Sequence, residues 1–292
     1  MAAPGKAVDI SRLSAISDEL ARSPQDAVAF AKKYGMSHLE LRDVPGARQS
    51  YPGLSDEELR AAVKEFAANG IRISFLDAGL MKFSLPGTEP VRRTPESPEA
   101  REKRLARDKA TFDRRREDLK KAVHAAHILG TDKVRIFAFS RVEDPAAVMP
   151  RVAGVLGELV EAAGKEGVRL LLENEGSQNV ATCAELAAIA KMIPSKWFGL
   201  NWDTMNGAIR EVPFPDGYNL LPKERIGNVH VKGRAVLEGP QQQDWLAIFR
   251  TMAKDGYQGC YGLETHIDIG GPGQVPASHR AMEAILKLLE QV

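Results

Sequence analysis

Short apolar runs bounded by turn residues alternate along this chain with longer segments whose apolar residues recur at helical spacing. A run at 13–16 precedes Ser23-Pro24, an N-cap serine with proline at the first helical position, and the helix that follows ends near Gly35. His38-Leu39-Glu40-Leu41-Arg42 alternates as a strand, and Ser55 with Glu58 forms a capping box for a helix closing at Gly70. Further strands are predicted over 71–76, 134–139, 170–173, 198–203, 228–231 and 261–264. Asp144-Pro145 opens helices reaching Gly167, and Thr182 with Glu185 forms a second capping box. Helices over 244–254 and 278–289 complete eight of each element, provided a weak helical segment at 220–224 is counted.

Two stretches depart from this rhythm. After the third strand the chain runs through Lys82 and a Pro-, Thr- and Ser-containing segment to about Pro98, a length typical of a functional cover or a disordered connection. Residues 99–129 then read as one long helix whose first half is solvated. Its arginines alternate with Glu99, Glu102, Asp108, Asp113 and Glu117, the mixture of a solvated face rather than an RNA contact.

Strand and helix alternating at roughly 30 to 35 residues per unit is what an eightfold barrel of about 250 residues requires. A doubly wound sheet would more often carry a glycine fingerprint after its first strand, and no GxGxxG occurs. The expected fold is therefore α/β, a single (β/α)8 TIM barrel over 11–292, with a flexible tail over 1–10. The 292 residues and 43% hydrophobic content allow a large core without choosing between one barrel and two smaller domains. Forty basic and 39 acidic residues nearly cancel, so no global field attracts nucleic acid or an anionic membrane. Cys183 and Cys260 stand far apart and outside any CxxC pair, which reads as core thiols in a reducing compartment. With no apolar stretch of signal-peptide or membrane-span length, the expectation is a cytoplasmic protein. The final helix and the helix after residue 98 each offer a surface for a possible homo-oligomer.

The chemistry gathers at strand ends. Glu173, Asp203, His230 and Glu264 each close one of the last four apolar runs, and a barrel brings such ends to one mouth. Three carboxylates and an imidazole suit one hard divalent ion, Mn²⁺ foremost, with Mg²⁺, Co²⁺ or Zn²⁺ as alternatives. The competing reading is a set of solvated or ion-paired acids. Alternation along a strand puts His230, Lys232 and Arg234 on one face, as it does Glu173 with Glu175, Glu264 with His266, and Glu40 with Arg42. Glu40 and Arg42 are candidates to bind hydroxyls across the mouth, or else to form salt bridges with a neighbouring strand or a loop. His266 is either a general acid or a loop hydrogen-bond partner. Gly270-Gly271-Pro272-Gly273 falls where barrels often hold phosphate, but no helix N-terminus is predicted to follow it directly, which favours a plain loop.

The motifs Leu172-Glu173-Asn174, Trp202-Asp203-Thr204-Met205-Asn206, Val229-His230-Val231-Lys232 and Leu263-Glu264-Thr265 resemble those of the xylose isomerase-like TIM-barrel superfamily, over essentially the whole chain. That group includes ketose 3-epimerases, hydroxypyruvate isomerases, inosose and dehydroshikimate dehydratases, and endonuclease IV. The resemblance implies Glu173, Asp203, His230 and Glu264 as metal ligands, with Glu173 and Glu264 also acting as acid and base. Lys82 resembles a lysine that some members turn toward substrate, the other reading being a solvated loop lysine. Asn206 stands where many members have histidine, and Gly233 where aspartate is common. The histidines that endonuclease IV needs on strands three and four are missing, since Asp77 and Ser140 stand there. DNA repair is thereby disfavoured.

The expected activity is a metal-dependent isomerase or epimerase of a small keto-sugar, with Glu173 and Glu264 moving the proton and His266 or Lys232 assisting. Glu40, Arg42, Lys82, Glu175, Asn206 and Arg234 are the expected substrate contacts. The alternative is a dehydratase or lyase of the inosose or 3-keto-glycoside type using the same site. The expected partner is a small carbohydrate, with no nucleic acid and no membrane.

Overall fold

A computed structural model describes residues 8–292. Its eight strands are β1 (Leu13–Ala15), β2 (His38–Leu41), β3 (Arg72–Leu80), β4 (Lys133–Ile136), β5 (Arg169–Glu173), β6 (Phe198–Asp203), β7 (Ile226–Lys232) and β8 (Cys260–Glu264). All neighbouring ladders are parallel, in the order β1-β8-β7-β6-β5-β4-β3-β2, and a parallel bridge between Ile16 and Glu40 draws the two ends of the sheet together. The result is one (β/α)8 barrel. Residues 1–7 of the expected tail lie outside the described residues, and within the rest of it Val8 is already buried against the core.

The helices are α1 (Ser17–Leu20), α2 (Pro24–Lys33), α3 (Asp56–Ala68), α4 (Pro98–Asp113), α5 (Arg115–Leu129), α6 (Pro145–Lys165), α7 (Cys183–Met192), α8 (Tyr218–Leu220), α9 (Gly233–Val236), α10 (Trp245–Lys254) and α11 (Gln274–Leu289). Local chemistry starts them where expected: Ser23 caps α2, and reciprocal capping boxes open α3 at Ser55 and α7 at Thr182. The predicted single helix over 99–129 is two, because the backbone at Arg114 (φ −90°, ψ 5°) ends α4 and starts α5. The predicted 220–224 segment is only α8 and a 3-10 turn, Lys223–Arg225. Helix α11 begins four residues earlier than expected and packs against α1, α9 and α10, so its apolar stripe is used within the chain. Cys183 is buried, whereas Cys260 is only partly so. Among the described residues no helix is long and apolar enough to cross a membrane.

Register decides what meets at the mouth. Glu173 lies opposite Asn201, Asp203 opposite His230, and Lys232 opposite Glu264. Every residue of β6 and β7 is buried, with Trp202 and Val229 in the core beneath the helices and the polar alternates turned into the barrel. Room inside comes from glycine: a Cβ at Gly199 would stand 2.6 Å from Leu171 Cδ2, and one at Gly262 would collide with the Glu40 carboxylate.

Candidate functional site

Strands β5 to β8 deliver Glu173, Asp203, His230 and Glu264 to one point at their C-terminal ends. One ligand-type atom from each lies within 4.8 Å of the others, and none of the four residues is more than 4% exposed. His230 Nδ1 faces Glu264 Oε2 at 3.1 Å and Glu173 Oε2 at 3.4 Å. On the far side of the ring Nε2 meets Glu40 Oε2 at 2.9 Å. A carboxylate only accepts, so Nε2 carries a proton, and Nδ1 is turned toward Glu173 and Glu264.

A divalent ion fits this donor set. Asp203 Oδ2 and Glu264 Oε2 are buried and have no aligned hydrogen-bond donor, although Lys232 Nζ stands 3.2 and 2.7 Å from them. Oxygens in that state are free to act as ligands to a metal cation. Among the described residues the carboxylates of Glu19, Glu40, Asp77, Glu173, Asp203 and Glu264 gather here around Arg42, Arg135 and Lys232. Burial works against a charged His230, but the adjoining Glu173, Asp77 and Glu264 carboxylates outweigh it and raise its pKa well above the ordinary value. For Asp203 burial outweighs the Lys232 ammonium, and its pKa rises to about 6.

A sequence profile described as xylose isomerase-like TIM barrel matches residues 28–289. This chain belongs to that family. No curated protein matches it. Among solved structures it is similar to an L-ribulose 3-epimerase (20% identity, 96% of this chain and 95% of that chain, TM-score 0.69). It is also similar to the probable 3-DHS dehydratase AsbF of Bacillus anthracis (13%, 94% and 98%, 0.66) and to an IolI protein with a bound zinc atom (14%, 96% and 98%, 0.66). At these identities the likeness establishes the xylose isomerase-like fold.

The mouth of this xylose isomerase-like barrel is a cavity of about 470 Å³. Arg42, Lys82, Glu175, Asn206, Arg234 and His266 line it, together with Glu173, Lys232 and Glu264. Glu40 does not reach it. That carboxylate is fully buried and accepts from Ser14 Oγ (2.6 Å) and Asn228 Nδ2 (3.2 Å) beneath His230, because Gly262 leaves space for it inside the barrel. Arg42 is held by Asp18 at 2.6 Å and Glu19 at 3.0 Å, a salt-bridge clamp from α1 rather than from a neighbouring strand. Arg234 sits in α9 rather than on β7, since the strand ends at Lys232, and it reaches the cavity from there. Lys82 pairs with Glu175 at 3.3 Å and lies over the Phe137 ring.

The two mouth glutamates are equipped differently. Glu173 Oε2 accepts from Arg135 Nη1 and Asn201 Nδ2, both at 3.0 Å, while Oε1 accepts from Asn206 Nδ2 at 3.2 Å. Burial would raise its pKa, but Arg135 and His230 prevail and hold it at about 2. Glu264 is likewise kept well below the ordinary value against burial, by Lys232, His230 and His266. His266 Nδ1 stands 3.0 Å from Glu264 Oε1 and 3.4 Å from Glu19 Oε1, and these two carboxylates raise its pKa to about 9.

Arg135, Glu19 and Asp77 complete the site without having been singled out as site residues from sequence. Arg135 is a guanidinium inside the apolar run Val134-Arg135-Ile136 and donates to the Asp77 and Ala78 carbonyls as well as to Glu173. An arginine on the inward alternate of a buried strand is itself a signal, readable once the strand is recognised. Asp77 has neither oxygen hydrogen-bonded, and burial against Arg135 lifts its pKa to about 6. The Gly270–Gly273 stretch is corrected too: α11 starts at Gln274 directly behind it. Its exposed amides are already taken, Gly273 N by Asp268 Oδ2 at 2.7 Å and Gly270 N by Gln274 Oε1 at 2.9 Å. A phosphate there would have to displace a carboxylate.

Proposed function

We propose that this chain is a divalent-metal-dependent isomerase or epimerase of a small keto-sugar. The observation that carries the reading is the division of labour within each glutamate. Glu173 and Glu264 both turn Oε2 toward His230 Nδ1 and keep Oε1 for a separate donor at the cavity, Asn206 or His266. Each can therefore bind an ion with one oxygen and serve a substrate proton with the other. An ion held by Glu173, Asp203, His230 and Glu264 supplies Lewis acidity toward neighbouring carbonyl and hydroxyl oxygens.

The chain's own groups do the rest. Glu173, held ionised, removes a proton next to the carbonyl, and Glu264 returns one on the other side after taking it from the His266 imidazolium 3.0 Å away. His266, charged at neutral pH, stabilises the Glu264 carboxylate and is within reach to relay its proton. Lys232 balances Glu264 and Asp203. Arg42, Lys82, Glu175, Asn206 and Arg234 offer donors and acceptors for hydroxyls around the reacting carbons. The epimerase and the zinc-bound barrel among the similar structures support this reading.

Elimination is the second reading, favoured by the His266 imidazolium at the mouth, which can protonate a departing hydroxyl. The similar dehydratase supports it. The test is elemental analysis of protein purified without added metal, beside an Asp203→Ala, His230→Ala double variant. About one ion per chain, lost in the variant, is expected, followed by turnover in a keto-sugar screen read for both isomerisation and loss of water. No ion in either protein after incubation with Mn²⁺ would overturn the reading.

A further inference from the structure

At the end of the barrel opposite the mouth, where the strands begin, lies a cavity of about 570 Å³, within the usual range for small-molecule sites. Lys133 and Arg169, the first residues of β4 and β5, line it together with Lys223 and the turn before β8. Lys133 and Arg169 are register partners, so their side chains stand next to each other on one face of the sheet. That face is the inward one, because Arg169 alternates with Leu171 and Glu173, and Lys133 with Arg135. Room for the Arg169 guanidinium is built into two other strands. A Cβ at Gly199 on β6 would stand 2.7 Å from its Nε and 2.8 Å from its Cζ, and one at Gly227 on β7 would stand 3.4 Å from Nη1.

These cations lack counter-ions of matching strength. Among the described residues no carboxylate pairs with Arg169, whose Nη2 donates instead to the Arg225 carbonyl at 3.0 Å. Lys133 reaches Asp132 at 3.5 Å, but that carboxylate is 73% exposed and screened by water. Lys223 donates to the Tyr218 and Leu221 carbonyls and covers the Tyr218 ring at 3.8 Å. The cavity's own acids are Glu224, which is exposed, and Asp255, which accepts from the Tyr218 hydroxyl at 2.9 Å. Neither pairs with Lys133 or Arg169. Burial and the nearby Arg225 guanidinium push the Arg169 pKa below its ordinary value. Like charges directly opposite each other on neighbouring strands destabilise a sheet. The floor of a barrel ordinarily serves stability, and two adjacent cations facing a cavity work against that. An anion between them turns the repulsion into two attractions.

We infer that the floor cavity is a binding site for a phosphate group, held by Arg169 and Lys133 with Lys223 beside them. Phosphate matches the planar fork of a guanidinium and carries the charge that two cations call for. Free phosphate and a phosphate monoester share that chemistry. The site lies outside the catalytic cavity and does not depend on the reaction proposed at the mouth. Isothermal titration calorimetry of the full chain, without added metal, tests it with inorganic phosphate and glycerol 3-phosphate at constant ionic strength. The proteins compared are wild type, Arg169→Met, Lys133→Met, the Asp203→Ala, His230→Ala double variant, and Lys120→Met as an exposed cation elsewhere. One phosphate should bind per chain, about tenfold or more weakly in Arg169→Met and in Lys133→Met, and unchanged in Lys120→Met and the double variant. Lys133→Met carries the test if Arg169→Met, which loses its brace to the Arg225 carbonyl, does not fold. Tighter binding of glycerol 3-phosphate supports an ester as occupant, and equal or tighter binding of inorganic phosphate supports the free ion. The inference is overturned if neither probe binds, or if affinity survives in Arg169→Met and Lys133→Met. It is also overturned if binding is lost in the double variant, which would put the phosphate at the mouth. Because the double variant removes the proposed metal ligands, phosphate binding that persists there stands even if the reaction at the mouth is disproved.

Discussion

The β5 and β8 sides of the mouth present the same side chain under opposite kinds of control. Glu173 is fixed by groups without a proton to exchange near neutral pH: the buried Arg135 guanidinium and the amides of Asn201 and Asn206. Glu264 is governed by Lys232 and by His266, whose side chain is 44% exposed. His266 also has a left-handed backbone (φ 48°), with its own N–H held by Glu19 Oε2 at 2.9 Å. One carboxylate is locked in place, and the other is tied to a proton carrier that reaches solvent. Under the proposed function, that difference would put proton exchange with bulk water on the β8 side.

The sharpest way to break that contrast is to neutralise each glutamate in turn. Glu264→Gln and Glu173→Gln should each lower turnover by about 10²–10⁴-fold, with bound metal measured alongside to separate chemistry from ion loss. Full turnover in Glu264→Gln with metal bound would remove its role in moving the proton. Next in size is Arg135→Met, which leaves Glu173 and Asp77 buried without their guanidinium. Breaking a buried pair of this kind costs about 3–5 kcal/mol, checked by denaturant unfolding. A loss below about 1 kcal/mol would mean that Glu173 is not locked by Arg135. His266→Gln should fold normally, retain metal and lose about ten- to a hundredfold in turnover. Unchanged turnover would make His266 a loop tie to Glu19 and dissolve the asymmetry.

How far the chain disclosed all this depends on whether a feature is local. The ends of β5 to β8 were legible because each is an apolar run that stops at a ligand-type residue, and capping boxes at Ser55 and Thr182 are signals confined to four residues. What sits beneath the ligands was not legible. Glu40 and His230 are 190 positions apart and 2.9 Å apart in space, a pairing that only barrel closure creates. The same holds for Glu19 with His266, and for Arg135 reaching from β4 to Glu173. Glu40 looked like a mouth residue because alternation gives the face of a strand but not the depth along the barrel axis. The break at Arg114 carries no glycine or proline to announce it.

The smallest expected effect probes what holds the β5 side still from outside the site. Glu185 at the start of α7 accepts from the backbone of Ala181 (2.7 Å) and Thr182 (3.0 Å) and pairs with Arg141 at 2.9 Å, anchoring the segment that follows Glu173. Burial raises its pKa, yet Arg141 and the two amides prevail and lower it below the ordinary 4.5. A carboxylate stabilised in the folded state contributes fully above its unfolded pKa and loses that contribution as pH falls through the folded value. Glu185→Gln should therefore cost about 1 kcal/mol at pH 7, measured by thermal or denaturant unfolding. The gap from wild type should hold down to about pH 5 and close as the carboxylate protonates below that. A gap that stays constant through acid would mean that the side-chain amide fails for reasons of shape, and that charge plays no part in anchoring this side of the mouth.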